Sequence, residues 1–169
     1  VILFAKQISL KICVHTAGAH SNHAVVDNSC VVDLSLPVFR SVKVDEESRI
    51  VRVAGGATIG DVDRACKPHE LTLPMGHVHH TGVAGMALNA TSGVGYLCRT
   101  RGLCADRLRQ VTLVMQDGSI GSFRPGDELF WALRGAGANF GVAVEMIFGL
   151  TTVAPQVFAG DVIKFGKGT

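Results

Sequence analysis

Apolar and polar residues alternate over short stretches along most of this chain, and the period of the alternation changes often. Residues 1–9 carry the spacing of an amphipathic helix. Residues 11–15 read as a short strand, residues 16–29 as a loop of small and polar side chains, and residues 30–34 as a second strand. Residues 41–45 and 49–53 form a hairpin pattern around Glu46, Glu47 and Ser48. After Gly55-Gly56, Thr58 and Asp61 have the spacing of a capping box, in which each side chain satisfies the other's backbone N–H. The helix they open continues through Val62, Ala65 and Cys66, and Pro68 is expected to end or kink it. Residues 71–73 make a short strand. Residues 109–115 read as a buried strand that turns at Gln116-Asp117-Gly118-Ser119 and returns over 120–123. Asp127 is placed to cap a helix whose Leu129, Phe130 and Leu133 face one way, and Gly135-Ala136-Gly137 ends it. Residues 142–150 form a last strand, and residues 154–169 start a new alternating pattern. Short strands and helices intermix without a βαβ repeat, which predicts an α+β fold.

Composition narrows the class. Of 169 residues, 47% are hydrophobic and 18% charged, enough apolar material for a packed core. The net charge is +2 with no Lys/Arg cluster, which argues against a nucleic-acid surface. No apolar run is long enough to span a membrane. The five cysteines include no Cys-x-x-Cys pair; Cys13, Cys30 and Cys66 lie in apolar runs and read as buried small hydrophobes. This scattered set leans toward a reducing, cytoplasmic compartment. The chain opens on Val1 in mid-pattern, so a preceding segment is expected.

Glycine changes the picture more. There are 20, gathered around residues 55–60, 76–102 and 135–141, which is the distribution expected where backbone wraps a ligand or where a β protein is rich in turns. Thr16-Ala17-Gly18-Ala19-His20-Ser21 follows a strand and can turn successive N–H groups toward an anion such as a pyrophosphate, or be a plain turn. His77, His79 and His80 stand close enough in sequence to raise a metal site, yet no neighbouring carboxylate or thiol completes a ligand set. Gly135–Gly141 lacks the Lys-Ser/Thr of a phosphate loop and follows a helix where a dinucleotide fingerprint follows a strand. No Gly-x-Ser-x-Gly elbow is present.

In order and spacing these segments resemble the FAD-binding (PCMH-type) domain of the berberine bridge enzyme-like, FAD-linked oxidase family. The resemblance is carried by Ala17-Gly18-Ala19-His20-Ser21, Val31-Val32-Asp33-Leu34-Ser35 and Val51-Arg52-Val53-Ala54-Gly55-Gly56-Ala57. It continues through Gly60-Asp61-Val62-Asp63-Arg64-Ala65, His80-Thr81-Gly82-Val83-Ala84-Gly85, Gly93-Val94-Gly95-Tyr96-Leu97, and Arg101-Gly102-Leu103 with Asp106. Asp127–Gly135 and Asn139-Phe140-Gly141-Val142 complete it.

The resemblance implies two α+β subdomains, the first incomplete, over residues 1–153, with 154–169 starting a substrate domain. It implies FAD held by Ala17, Gly18, Ala19, His20 and Ser21 at the pyrophosphate, with His20 as a possible covalent link to the flavin. His80, Thr81, Gly82, Val83 and Gly85 would lie against the flavin ring, Gly93 and Asp106 near it, and Gly141 and Val142 at the adenine end. Val78 stands where bicovalently attached members have Cys. The implied activity is hydride transfer from an alcohol, sugar or amine to the flavin, with O2 as electron acceptor. The family's catalytic base belongs to a part outside this sequence, so no catalytic residue is assigned. Ala17 and Ala19 replace the usual glycines, and Asn89-Ala90-Thr91-Ser92 replaces a glycine run. These departures leave a second expectation open, a non-catalytic fragment or pseudo-enzyme that retains the fold.

Overall fold

The structure is a computed structural model that describes residues 1–17, 26–91 and 95–153. It is α+β, as expected. Helix α1 (Ile2–Gln7) precedes strand β1 (Lys11–His15), which pairs in parallel with β2 (Ser29–Asp33). The register sets Lys11 opposite Ser29 and His15 opposite Asp33. A 3-10 turn over Pro37–Phe39 leads out of this small layer.

The second part is built on a five-stranded antiparallel sheet. Its strands are β3 (Val42–Asp45), β4 (Ile50–Ala54), β6 (Leu108–Val114), β7 (Ile120–Phe123) and β8 (Val142–Gly149), in the order β3-β4-β8-β6-β7. Strand β8 is the last of the five in sequence yet lies at the centre, and four of its last six residues are buried hydrophobics or glycine: Met146, Ile147, Phe148 and Gly149. Strand β4 alternates, with Val51 and Val53 inside and Arg52 outside, the pattern of a half-buried strand. Strand β6 alternates less cleanly because its pairing with β8 shifts register twice, between Leu108 and Gln110 and between Thr112 and Leu113. Strands β5 (Leu71–Thr72) and β9 (Thr151–Thr152) form a separate short antiparallel pair.

Helices cover the core face. Helix α2 (Ile59–Cys66) buries Ile59, Val62 and Cys66, and α3 (Val83–Leu88) buries every residue except Gly85. Helix α4 (Cys98–Arg101) is a single turn. Helix α5 (Glu128–Ala136) buries Phe130 and Leu133, and leaves helical geometry at Arg134 and Gly135, as the glycines there predict. These helices and the sheet share one core that includes Val51, Val62, Val83, Leu113, Leu133, Met146 and Phe148.

The junction between the small layer and the large sheet depends on Gly56. A Cβ there would lie 1.7 Å from the Leu34 carbonyl oxygen, directly after β2, so only glycine lets the chains meet. The Gly56 N–H donates to the Phe39 carbonyl at 2.9 Å, which fixes the same crossing.

Two local expectations change. Asp127 stands at the N-cap of α5, but its carboxylate accepts the Arg124 N–H at 2.7 Å and makes no cap bond; the preceding turn competes for it. Cys30 is half-buried, because β2 lies at an edge with only β1 beside it, whereas Cys13 and Cys66 are buried as expected. Cys13, Cys30 and Cys66 are free thiols.

Candidate functional site

The capping box at the start of α2 forms as the spacing predicts. Thr58 Oγ1 accepts the Asp61 N–H, and Asp61 Oδ2 accepts the Thr58 N–H at 2.9 Å. Asp61 also takes Arg40, whose Nη2 lies 2.8 Å from Oδ2, and Arg64. Burial raises the Asp61 carboxyl, but the Thr58 N–H and the Arg40 guanidinium outweigh it and hold the group below the usual carboxylate range. The remaining first-turn donors of α2 are met by the loop that carries the histidines. The Ile59 N–H donates to Thr81 O at 3.0 Å and the Gly60 N–H to His79 O at 2.9 Å. On the other side of the loop, the Val83 N–H donates to Ala57 O at 2.9 Å. The N-terminus of α2 is therefore satisfied by protein carbonyls, and the loop at residues 77–82 is fixed in place by them.

That loop delivers His80, Thr81, Gly82, Val83 and Gly85 to one place. His80 is exposed, Thr81 half-buried, and Gly82 is the buried N-cap residue of α3. Val83 belongs to the core. Gly85 is the single outward-facing residue of α3, and a Cβ added to it would meet nothing within 4 Å. Among the described residues no neighbour demands glycine at that position. A bare stretch of helix backbone open to solvent is the surface on which a flat ring can rest.

A cleft of about 750 Å3 runs between α1 and β1 on one side and the ends of β6 and β8 on the other. Gly141 and Val142 line it, with Val14, Lys6, Lys11 and Gln116. Its size falls in the range of roughly 300–1,000 Å3 usual for cofactor and small-molecule sites, and its two lysines suit the negative charge of a pyrophosphate. Ala17 lies half-buried two residues beyond the end of β1. The remaining residues expected at the pyrophosphate, Gly18, Ala19, His20 and Ser21, and also Gly93, lie outside the described residues, as does the 154–169 segment. The residues present fit FAD, with a cleft of suitable size and charge and an unshielded glycine face on α3.

Asp106 stands apart from both features. Its carboxylate accepts the Leu103 N–H at 2.8 Å and pairs with Arg134 at 2.8 Å, and it is absent from the cleft lining. Among the described residues no group of three His, Cys, Asp or Glu side chains is arranged to hold a metal ion, so His77, His79 and His80 do not converge on a site of that kind.

A second, smaller cleft of about 170 Å3 is lined by Asp63, Thr72, Met75, His77, His79 and Tyr96, among others. The rings of His77 and Tyr96 meet at a tilt with centroids 6.3 Å apart. Burial pushes the Asp63 carboxyl up, against the pull of His79. One turn along the helix, burial and the Asp63 charge push the Cys66 thiol up to about 11, which leaves it inert. Lys6 and Lys11 escaped the sequence reading because each is an isolated charge in an amphipathic pattern, and Asp63 entered it only as part of a motif; only the fold brings them to a cleft.

Among the described residues no helix is long and apolar enough to cross a membrane. Residues 1–124 match the family described as FAD binding domain. An FAD-linked oxidoreductase of Dictyostelium discoideum is 39% identical over 162 residues, which is 95% of this chain and 34% of the relative. The crystal structure of 6-hydroxy-D-nicotine oxidase from Arthrobacter nicotinovorans superposes with a TM-score of 0.81 at 31% identity, over 89% of this chain and 33% of that one. The berberine bridge enzyme-like protein 1 of Physcomitrella patens gives 0.80 at 25% identity, over 90% and 34%. The chain thus spans about a third of the length of the relatives it matches. With the α+β fold, the cleft and the ordered segments in agreement, this chain belongs to the FAD-binding domain family of FAD-linked oxidoreductases.

Proposed function

We propose that the chain is the cofactor-holding part of an FAD-dependent oxidoreductase that oxidises a small alcohol, sugar or amine and passes the electrons to O2. Residues 1–153 form the cofactor domain in this reading, and 154–169 lead into the part that recognises substrate. Bound FAD supplies the hydride-accepting chemistry, while the protein orients the ring and tunes its surroundings. The backbone at Ala17, Gly18, Ala19 and Ser21 binds the pyrophosphate, and His20 stands where a covalent bond would tether the ring. His80, Thr81, Gly82, Val83 and Gly85 bear on the ring, with Gly93 and Asp106 in support. Gly141 and Val142 close the adenine end.

The observation that carries this reading is the open face of Gly85 on an otherwise buried helix, fixed by the loop that the family resemblance assigns to the flavin. A second reading, a fold that has lost its cofactor, draws on Ala17 and Ala19 in place of glycines and on Asn89–Ser92 in place of a glycine run.

One measurement separates the two. The protein is incubated with FAD, denatured in acid and run on a gel under ultraviolet light, with absorption of the native sample recorded first. Fluorescence in the protein band that disappears in His20→Ala is the expected result for a covalent flavoprotein. Flavin absorption before denaturation with a dark band means noncovalent FAD. No flavin in either sample supports the cofactor-free reading.

A further inference from the structure

The first turn of α2 makes bonds in two directions. On one side its Ile59 and Gly60 N–H groups hold the carbonyls of Thr81 and His79, at 3.0 and 2.9 Å. On the other side its Asp61 carboxylate holds Arg40. The Arg40 Nε lies 3.0 Å from Oδ2, and its Nη2 lies 3.0 Å from Oδ1 and 2.8 Å from Oδ2. A two-pronged guanidinium–carboxylate pair of this kind fixes orientation as well as distance. The Asp61 side chain is 14% exposed and that of Arg40 36%, so water competes little for the carboxylate.

Arg40 itself stands at the crossing between the two parts of the molecule. Its neighbours in the chain are bonded to the end of β4 and just beyond it: the Ala54 N–H donates to Ser41 O and the Gly56 N–H to Phe39 O, both at 2.9 Å. The turn over Pro37–Phe39 joins Arg40 to the layer of β1 and β2, and these two strands flank residues 16–21, the segment that the family resemblance assigns to the pyrophosphate. One short run of bonds therefore leads from the crossing, through Arg40 and Asp61, to the first turn of α2 and on to the loop before Gly82. The helix itself does not need Arg40. Thr58 and Asp61 complete the capping box between themselves, and Arg64 already neutralises Asp61. What the fork adds is a fixed place for that turn relative to the crossing.

We infer that Arg40 is a positioning residue for the cofactor: through Asp61 and the first turn of α2 it fixes residues 79–81, and with them the ring-facing segment 80–85, relative to the layer that carries the pyrophosphate segment. This rests on the reading that residues 80–85 face the flavin.

The test uses Arg40→Ala and Arg40→Lys, each titrated with FAD well below its thermal midpoint so that folded protein alone is measured. Arg40→Lys keeps the charge and gives up the fork. Groups that orient a ligand-bearing residue without touching the ligand are worth roughly 10–100-fold at metal sites. On that scale Arg40→Ala is expected to weaken FAD binding about tenfold and to shift the visible band of the flavin that still binds, and Arg40→Lys to recover part of both. In the FAD-free protein, hydrogen exchange at the Ile59 and Gly60 amides should quicken about fivefold in Arg40→Ala. If Arg40→Ala lowers the thermal midpoint but binds FAD with wild-type affinity and spectrum, the pair is a plain structural tie and the proposal is overturned. Gly85→Val tells the two failures apart. If it abolishes FAD binding while Arg40→Ala binds as wild type, only the role of Arg40 falls. If Gly85→Val leaves the flavin untouched, the flavin-facing reading falls, and with it this proposal.

Discussion

The two parts of this molecule are packed in different ways. The five-stranded sheet with α2, α3 and α5 shares one core, and among the described residues before Val51 only Val42 and Val44 of β3 pack against it. The N-terminal layer of α1, β1 and β2 buries Ala5, Cys13 and Leu34 but exposes Val1, Leu3, Phe4, Ile8, Val26 and Val31. One part is a body with an interior; the other is a single layer laid against it at the Gly56 crossing. The cleft of about 750 Å3 lies where the two meet.

The largest break in this contrast comes from the core. Phe148 is fully buried at the centre of the sheet, and Phe148→Ala is expected to cost about 3–5 kcal/mol in chemical denaturation. A smaller but more selective effect comes from Asp61, which ties α2 to Arg40 beyond the N-terminal layer. Asp61→Ala removes a cap and strands a half-buried guanidinium, for a loss of about 2–3 kcal/mol at neutral pH. The sign with pH follows from its depressed folded pKa. The Asp61 contribution is complete above the unfolded carboxylate range near pH 4 and is lost as pH falls through the lower folded value. Stability curves of wild type and variant should converge as the pH falls from about 4 toward 2, and a constant gap would show that the charge of Asp61 is not what stabilises α2. The smallest effect belongs to the thin layer: Phe4 is 59% exposed, and Phe4→Ser should change stability by less than about 0.5 kcal/mol. A loss comparable to that of Phe148→Ala would mean that α1 is covered by something further in the native protein.

Much of the site was legible in the sequence where chemistry is local. Thr58 and Asp61 form their box because both partners lie within one helical turn. Asp127 is also a good N-cap residue by sequence and fails to cap, because Arg124 offers its carboxylate an N–H; two local motifs compete and the sequence does not rank them. Helix α3 was hidden in the glycine-rich middle. Six residues are too few to be stable by propensity, and Val-Ala-Gly-Met-Ala-Leu becomes helical because five of them are buried against α5 and the sheet. The cleft residues Lys6 and Lys11 carried no signal, since an isolated lysine on an amphipathic element reads as a solvated face.

The sequence by itself determined the strands, the capped helix, the α+β class and, through its ordered motifs, the cofactor. These depend on side-chain period and on contacts within a few residues. Only the tertiary structure decided that β8 enters between β4 and β6, that α3 turns Gly85 outward, and that the loop bearing His79 lies across Gly60. Each of those joins residues far apart in the chain. Such contacts are selected by how whole faces bury together, a property that no single stretch of sequence contains.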